Sequence, residues 1–374
     1  MSWSVRRALA ASAIIASTVL SACVAVTSAA VHRKAPKVQV TFAFFGCNRI
    51  DAKDVEEARA ANPSTANLPQ LRQNVTDIAA LAPDYLFFGG DLVMGYADDK
   101  GEGLQQQMGA WVDVVKTLPR SRKTRLVAFT GNHEMNRKAG DLKLPNAAND
   151  GIWTTLVKKN GLVPSGAKGP DQDSSPEDHL IDDQRALSFS FNRGPVHFVV
   201  LNTDTRVSTK DEQTGETKVG MIPVHWLNAD LDAAEKNAKI KAVIVMGHRN
   251  VVDPDSAKGD APIDPECAVP MIKALQSHSK VRAYVCAHVH AFDISTIGDS
   301  GVRQVVFGNG GSKLEKGWNP PRGRTFGFGY FKVYEDGSVG VIPYLRPEPK
   351  DYMDARSEEV PPAKPEPELI VPTR

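Results

Sequence analysis

Four short motifs hold the residues best suited to chemistry: Gly89-Gly90-Asp91, Gly131-Asn132-His133-Glu134, Gly247-His248 and His288-Val289-His290. Each follows an apolar run that reads as a buried strand, over Tyr85–Phe88, Leu126–Thr130, Ala242–Met246 and Arg282–Cys286. In a layered α/β sandwich the C-terminal ends of neighbouring strands open into a shared crevice, where ligand sites are usually built. An Asp, an Asn and three imidazoles delivered there are oxygen and nitrogen donors suited to Mn, Fe, Zn or Ni. The spacing of His288 and His290 puts both rings on one side of an extended or turning segment, because side-chain direction in a strand repeats every second residue. The set reads as a metal site with donors enough for two ions.

In these motifs the chain resembles the calcineurin-like metallophosphoesterases, whose pattern runs Asp-x-His, Gly-Asp, Gly-Asn-His-Glu, Gly-His and Gly-His-x-His. The last four stand in that order at Asp91, Asn132-His133-Glu134, His248 and His288/His290, with Ala287 in place of the final Gly. Supporting stretches agree. Ala186 to Asn202 looks like the family's hairpin, Trp226-Leu227 opens its next helix, and Gly308-Asn309-Gly310-Gly311 is similar to a late glycine turn. A lone Gly-Asn-His-Glu is weak evidence; four motifs in order, each behind a strand, are strong evidence. The resemblance implies an α/β fold, a layered sandwich of two mixed sheets flanked by helices, of the metallo-dependent phosphatase type.

The first motif departs from that pattern. After a strand over Val38 to Phe45, the Asp-x-His position reads Cys47-Asn48-Arg49. Two readings of Cys47 stand side by side. As a thiolate it ligates a transition metal, since metal binding strips its proton; the alkaline phosphatase D branch is similar in placing a Cys after this strand. Alternatively the first metal position is degraded and Cys47 is a small core residue, as buried free cysteines commonly are. Arg49 stays protonated and cannot ligate a metal. Its donor fork suits a phosphoryl oxygen at the pocket edge, against the plainer reading of an exposed Arg opening a loop.

Taken with the resemblance, the donor set implies a reaction. Asp91 has two oxygens with which to bridge two cations. Asn132, His248 and His288 complete one position, and His290, with or without Cys47, holds the other. The cofactors expected are two divalent or trivalent ions, Mn, Fe or Zn. Water held between such ions is deprotonated near neutral pH, while the cations orient a phosphoryl group and offset its charge. The resemblance makes His133 catalytic rather than a ligand: it reaches the leaving-group oxygen, which a positioned imidazole can protonate, with Glu134 or another acid as orienter. Arg249, directly after His248, is read as a second phosphate contact. His32, His179, His197, His225 and His278 lie outside the motifs and are read as packing or ordinary hydrogen bonding. Asp204 and Arg206 are read as a surface loop, and Lys313 to Lys316 as solvated surface.

The elements that must position these residues alternate. Helical spacing marks Leu68 to Leu81, Leu104 to Leu118, Met221 to Asn237 and Ala268 to His278, each ahead of a strand, an order that argues for layered α/β. After His290 the chain turns to short extended runs, at 291–297, 304–307, 327–334 and 339–344, read as a second sheet completing the sandwich. The expected domain covers residues 38–345. An insertion at about 136–184, with a helix near Trp153 to Lys159, is placed to overhang the pocket and select substrates. Residues 346–374 contain seven prolines among charged residues, which predicts an extended or disordered tail.

The N-terminus suggests export. Residues 1–22 carry Arg6-Arg7 and an apolar stretch from Ala8 to Leu20, the layout of a secretory signal and too short for a membrane span. Leu20-Ser21-Ala22-Cys23 resembles a bacterial lipobox, in which Cys23 is lipidated; ordinary cleavage near Thr27 to Ala30 is the alternative. Residues 23–37 then serve as a linker. These features predict a lipoprotein of the bacterial cell envelope, anchored to a membrane, or else a soluble secreted protein. Loss of Arg6 and Arg7 takes the formal charge from +1 to −1. A near-neutral chain offers no general attraction for nucleic acid, so the expected partner is a phosphorylated small molecule. Cys267 and Cys286 remain, and their spacing does not establish a disulfide. The function expected is metal-dependent hydrolysis of phosphomonoesters or diesters outside the cytoplasm. A metal- or phosphate-binding pseudoenzyme and a nuclease are the alternatives.

Overall fold

The protein is described by a computed structural model covering residues 36–50, 61–96, 100–140, 142–211, 215, 217–254, 262–315, 324–349 and 359–374. The signal segment, Cys23, most of the linker and Lys316 lie outside the described residues. The strands are β1 (Val38–Phe45), β2 (Tyr85–Gly89), β3 (Arg125–Phe129), β4 (Asn136–Ala139), β5 (Leu142–Pro145), β6 (Phe189–Arg193), β7 (Val196–Leu201), β8 (Ala242–Gly247), β9 (Val281–Cys286), β10 (Phe292–Thr296), β11 (Arg303–Phe307), β12 (Thr325–Tyr334), β13 (Val339–Pro347), β14 (Lys364–Pro365) and β15 (Leu369–Val371). The helices are α1 (Leu68–Leu81), α2 (Glu102–Thr117), α3 (Asn132–Met135), α4 (Ala147–Lys159), α5 (Val224–Lys236) and α6 (Pro265–Ser277).

Two mixed sheets result. One runs β14-β13-β12-β1-β2-β3 with β15 also on β13, the other β10-β11-β9-β8-β7-β6, and β4 and β5 pair separately. The late strands do not form a sheet of their own, contrary to the expectation from sequence. β11 pairs in parallel with β9, while β12 pairs antiparallel with β1, so the C-terminal strands widen both sheets. Short apolar runs specify strands but not their partners, which explains the difference.

Alternation along the strands builds the layers. Phe42, Phe44, Phe87, Ile244, Met246 and Val285 point into one apolar cluster between the sheets. Ala43, Phe45, Leu86 and Phe88 pack outward with α1, α2 and α4, while Val243, Val245, Tyr284 and Cys286 pack outward with α5 and α6. With side chains on both faces buried, the strands read as near-continuous apolar runs rather than alternating ones. Burying one such Phe contributes roughly 1.5–3 kcal/mol. α1 shows the local logic: the Asn67 side chain caps its start, Leu71, Val75 and Ile78 line its buried face, and Ala82 ends it in a left-handed turn before Pro83.

The proline-rich tail is extended but is not loose in its described part. β14 and β15 pair with β13, and Val371 is buried. Arg346 donates to Gln70, Asn74 and Asp77 of α1 and to the carbonyl of Pro361, which docks the segment. Composition favours an extended chain; an open edge at β13 supplies the partner that composition cannot reveal. Cys267 and Cys286 are buried and form no disulfide with each other. No helix among the described residues is long and apolar enough to cross a membrane.

Candidate metal centre

The C-terminal ends of β1, β2, β3, β8 and β9 meet at one place. After β1, the Cys47 amide donates to the Gly90 carbonyl, and the Asn48 and Arg49 amides to the Asp91 carbonyl, at 2.9, 2.9 and 3.2 Å. Three of the donor residues hold left-handed backbone, Cys47 at φ 54°, Asp91 at 52° and His288 at 61°. Such conformations are costly for non-glycine residues, about 1–3 kcal/mol each, and cluster where function requires them. Gly131 accounts for the tight approach of β3: a Cβ there would lie 2.3 Å from Asp91 Oδ1.

The side chains fit a metal ion. Ligand atoms of Cys47, Asp91 and His248 all lie within 4.8 Å of one another, and all three residues are buried. His248 donates Nδ1–H to the Gly89 carbonyl at 2.8 Å, which turns Nε2 toward Asp91 Oδ1 at 3.2 Å. His290 donates Nδ1–H to the Lys313 carbonyl at 2.7 Å. A carbonyl can only accept, so both rings carry a proton on Nδ1 and turn Nε2 toward the site, the arrangement that orients metal-ligating imidazoles; on His248 the Nε2 proton that Asp91 holds would leave when a metal binds. His288 Nδ1 stands 3.3 Å from His248 Nε2. Asn132 hydrogen-bonds Tyr96 Oη through its amide nitrogen, while its carbonyl oxygen is buried without a hydrogen-bond partner. A buried acceptor without a partner, a carboxylate, a thiol and imidazoles are donors whose chemistry fits a transition-metal cation. The Cys47 ligand atom thus lies close to those of Asp91 and His248, and the same residue also belongs to the buried apolar cluster between the sheets, while His290 lines the neighbouring cavity.

Charge follows the same logic. Burial opposes ionisation of Asp91, but the His133 and His248 imidazoles, a hydrogen bond from His248, and Arg49 hold it well below the usual carboxylate range. Burial alone would lower His248; attraction to Asp91 reverses this and raises it. Burial, Arg249 and His248 keep His288 well below its ordinary value, with a lone pair available. Arg49 Nε lies 3.6 Å from Asp91 Oδ2, so this guanidinium sits against the carboxylate where the common pattern has an imidazole.

His133 lies against Asp91 but is oriented differently from the sequence-based expectation. Its Nδ1 donates to the Met94 carbonyl at 2.6 Å, leaving Nε2 3.8 Å from Asp91 Oδ2, and burial and Arg49 hold the ring neutral. Glu134 does not orient it. The Glu134 carboxylate accepts from the amides of Asp91, Leu92, Val93 and Gly131, at 2.9, 2.8, 3.2 and 2.7 Å, and so clasps the β2 and β3 loops together. Burial and the Asp91 charge raise it to about 7. A glutamate following a histidine gives no sign of which backbone it will reach.

Arg249 is buried and binds Asp204 through its fork, Nε to Oδ2 and Nη2 to Oδ1 both at 2.9 Å, while Nη1 ends 3.5 Å from His288 Nε2. Asp204, read as surface loop, is buried behind the site and also accepts from Asn136. Its position directly after the β7 strand end was the available signal. Arg206 pairs with Asp182, away from these donors. His197 and His278 are held by Asp230 and Asp232, as packing histidines are.

Beside the donors lies a cavity of about 490 Å³, lined among others by Arg49, Tyr96, His133, Lys138, Lys143, His290 and Lys313. Lys313 is therefore cavity wall rather than open surface. Lys138 and Lys143 come from the β4–β5 hairpin, at the start of the segment expected to overhang the pocket.

Comparison with known proteins follows from this geometry. The pattern described as calcineurin-like phosphoesterase matches residues 43–292. Among solved structures, purple acid phosphatase PPD1 from yellow lupin (Lupinus luteus) seeds is similar with a TM-score of 0.52 and 16% identity, over 83% of this chain and 52% of that one. The chain thus spans about half the length of that phosphatase. A dimetal phosphatase from Danio rerio is similar with a TM-score of 0.49 and 16% identity, over 90% of this chain and 100% of that one. PhoD is similar with a TM-score of 0.45 and 13% identity, over 83% and 66%. At these identities the likeness concerns the fold. No curated protein sequence matches the chain. With the family pattern matched over more than half of its length, the chain belongs to the calcineurin-like phosphoesterase family.

Proposed function

We propose that this protein hydrolyses phosphate esters of small molecules at a metal centre held by Asp91, Asn132, His248, His288 and His290, with Cys47 as a thiolate ligand. The observation that carries the reading is the buried trio Cys47, Asp91 and His248, whose ligand atoms lie within 4.8 Å of one another, together with an Asn132 carbonyl that is buried without a hydrogen-bond partner. Bound cations supply Lewis acidity, acidifying water and offsetting charge on the phosphoryl group. The protein's own residues do the rest. Asp91 keeps its charge in a buried site, and the Gly89 and Lys313 carbonyls fix the tautomers of His248 and His290. His133 faces the same cavity with Nε2, and an anionic ester beside it favours the imidazolium that donates to the leaving-group oxygen. Arg49, on the cavity wall, is the phosphoryl contact.

The test is turnover of p-nitrophenyl phosphate and bis(p-nitrophenyl) phosphate by purified protein, before and after chelation. Activity lost on chelation and restored by Mn, Fe or Zn supports the reading; a metal-replete protein inert to both esters rules it out. Arg49 against Asp91 favours a second reading, a binding protein holding a single ion, and a one-metal protein without turnover would select it.

The proposed location is the bacterial cell envelope, through lipidation of Cys23, on the strength of Arg6-Arg7, the apolar stretch and Leu20-Ser21-Ala22-Cys23. Mass spectrometry of the mature N-terminus tests it. A diacylated Cys23, with Cys23→Ser released from the membrane fraction, is the expected result; an unmodified mature N-terminus beyond residue 23 contradicts it.

A further inference from the structure

The β4–β5 hairpin breaks a rule of sheet pairing beside the metal centre. Lys138 and Lys143 are directly opposed across its two strands, and like charges in that register destabilise a hairpin. Both ammonium groups nonetheless lean over one ring, Nζ 5.8 and 5.7 Å from the centroid of Tyr96. Tyr96 is buried, bridges to Arg137 of the hairpin, receives the amide of Asn132 on its hydroxyl, and packs on the His133 ring at 4.1 Å between centroids. The two lysines are thereby fixed one aromatic ring away from His133, on the wall of the cavity that His133 also lines. Lys313 and Arg49 share that wall, with Glu315 as the carboxylate among them. Places where a local rule is broken without structural gain are expected to be functional, and two opposed ammonium groups are relieved by an anion between them.

We propose that Lys138 and Lys143 form an anion subsite on the leaving-group side of the centre, selecting phosphate esters whose leaving group carries a second anionic group, phosphate or carboxylate. The assignment to the leaving-group side rests on the reading of His133 given above; the subsite itself rests on the hairpin register and on Tyr96. Tyr96 orders the lysines by cation–π attraction while leaving their remaining donors to an anion. Lysines suit this role because point charges with rotatable donors accept either a carboxylate or a phosphate.

The test is calorimetric binding of methylphosphonate, methylenebisphosphonate and phosphonoacetate to the full-length protein as purified, for wild type and for Lys138→Gln/Lys143→Gln. The last two ligands add a second phosphonate or a carboxylate to the first, and chelation of any ion is common to both proteins. The double variant is expected to bind at least one of the two ligands bearing a second anionic group about tenfold or more weakly than wild type, with less than about threefold change for methylphosphonate. Which of the two loses more tells phosphate from carboxylate. Equal loss for all three ligands, or no loss, overturns the subsite. Ligand-induced rise in Tm gives a second readout, larger in wild type with the ligands bearing a second anionic group; removing the opposed charges should leave the hairpin itself folded. A selective loss of binding in a protein without phosphoesterase turnover would keep the subsite and discard the phosphoesterase reading.

Discussion

Arg249 and Asp204 face each other in a buried, two-pronged ion pair, and Arg249 Nη1 ends 3.5 Å from His288 Nε2. The pair links the loop after β7 to the loop after β8 and backs one imidazole of the metal centre.

Removing one partner of a buried pair strands the other. Asp204→Ala is therefore expected to lower stability by about 3–5 kcal/mol, measured by denaturant unfolding of the metal-free protein. A loss below about 1 kcal/mol would mean that Arg249 finds another partner and that the pair is dispensable.

In the proposed reaction His133 acts on the leaving group rather than holding a metal. His133→Asn should keep its metal content while slowing turnover about 10²- to 10⁴-fold, the usual range for a positioned general acid. The loss should shrink for nitrophenolate leaving groups, which depart without a proton. Steady-state rates on alkyl and nitrophenyl esters decide it; an equal loss on both, or loss of metal, assigns His133 another task.

Much of this site was legible in the sequence because each motif sits directly behind an apolar strand, and strand ends converge in layered α/β folds. That Asp91, Asn132, His248 and Cys47 stand at or just after strand ends needed no more than that; their metal binding is the proposal made above. Charged residues in loops were not legible, since the sequence does not say which way a loop folds back. Asp204 turned inward to Arg249, Glu134 reached the amides of Asp91 to Val93, and Lys138 and Lys143 turned toward Tyr96. Asp204 looked like a surface loop and Glu134 like a helper of His133, while Lys138 and Lys143 lay in the expected overhang with no sign of the ring they would face. Sheet membership was hidden for the same reason: β12 and β13 carry the right residues for strands but no mark of joining β1. The tail's docking on β13 depends on an open edge that only the assembled sheet creates.

Asp150 on α4 gives a pH dependence away from the metal centre. Burial pushes its carboxyl up to about 7, against the pull of Arg206. The folded value lies above that of an unfolded aspartate, about 3.9, so the folded state holds the proton more tightly. The stabilising contribution is full below about pH 4 and is lost as pH rises through about 7. Asp150→Asn should flatten that fall and be more stable than wild type at pH 8 by about 1–3 kcal/mol. Unfolding curves at pH 5 and pH 8 check it; a variant less stable at pH 8 would show that the charged form is satisfied in the fold.

Cys47 carries the departure from the common first motif. As a ligand, its replacement by Ser should lower metal content and shift preference toward harder ions, because a hydroxyl is less acidic and less soft than a thiol. Cobalt-substituted wild type should show a thiolate-to-metal charge-transfer band that Cys47→Ser lacks. A variant with unchanged metal content and spectrum would return Cys47 to the role of a packed core residue.

The central claim is that Asp91 anchors a metal centre, and metal bound per chain measures it most directly. Purified wild type is expected to carry about two transition-metal ions per chain, and Asp91→Ala close to none, because losing a shared carboxylate releases both positions. His288→Ala should fall in the same direction. Wild-type protein that binds no metal even after incubation with Mn, Fe and Zn, or Asp91→Ala protein that keeps a full complement, would contradict the account.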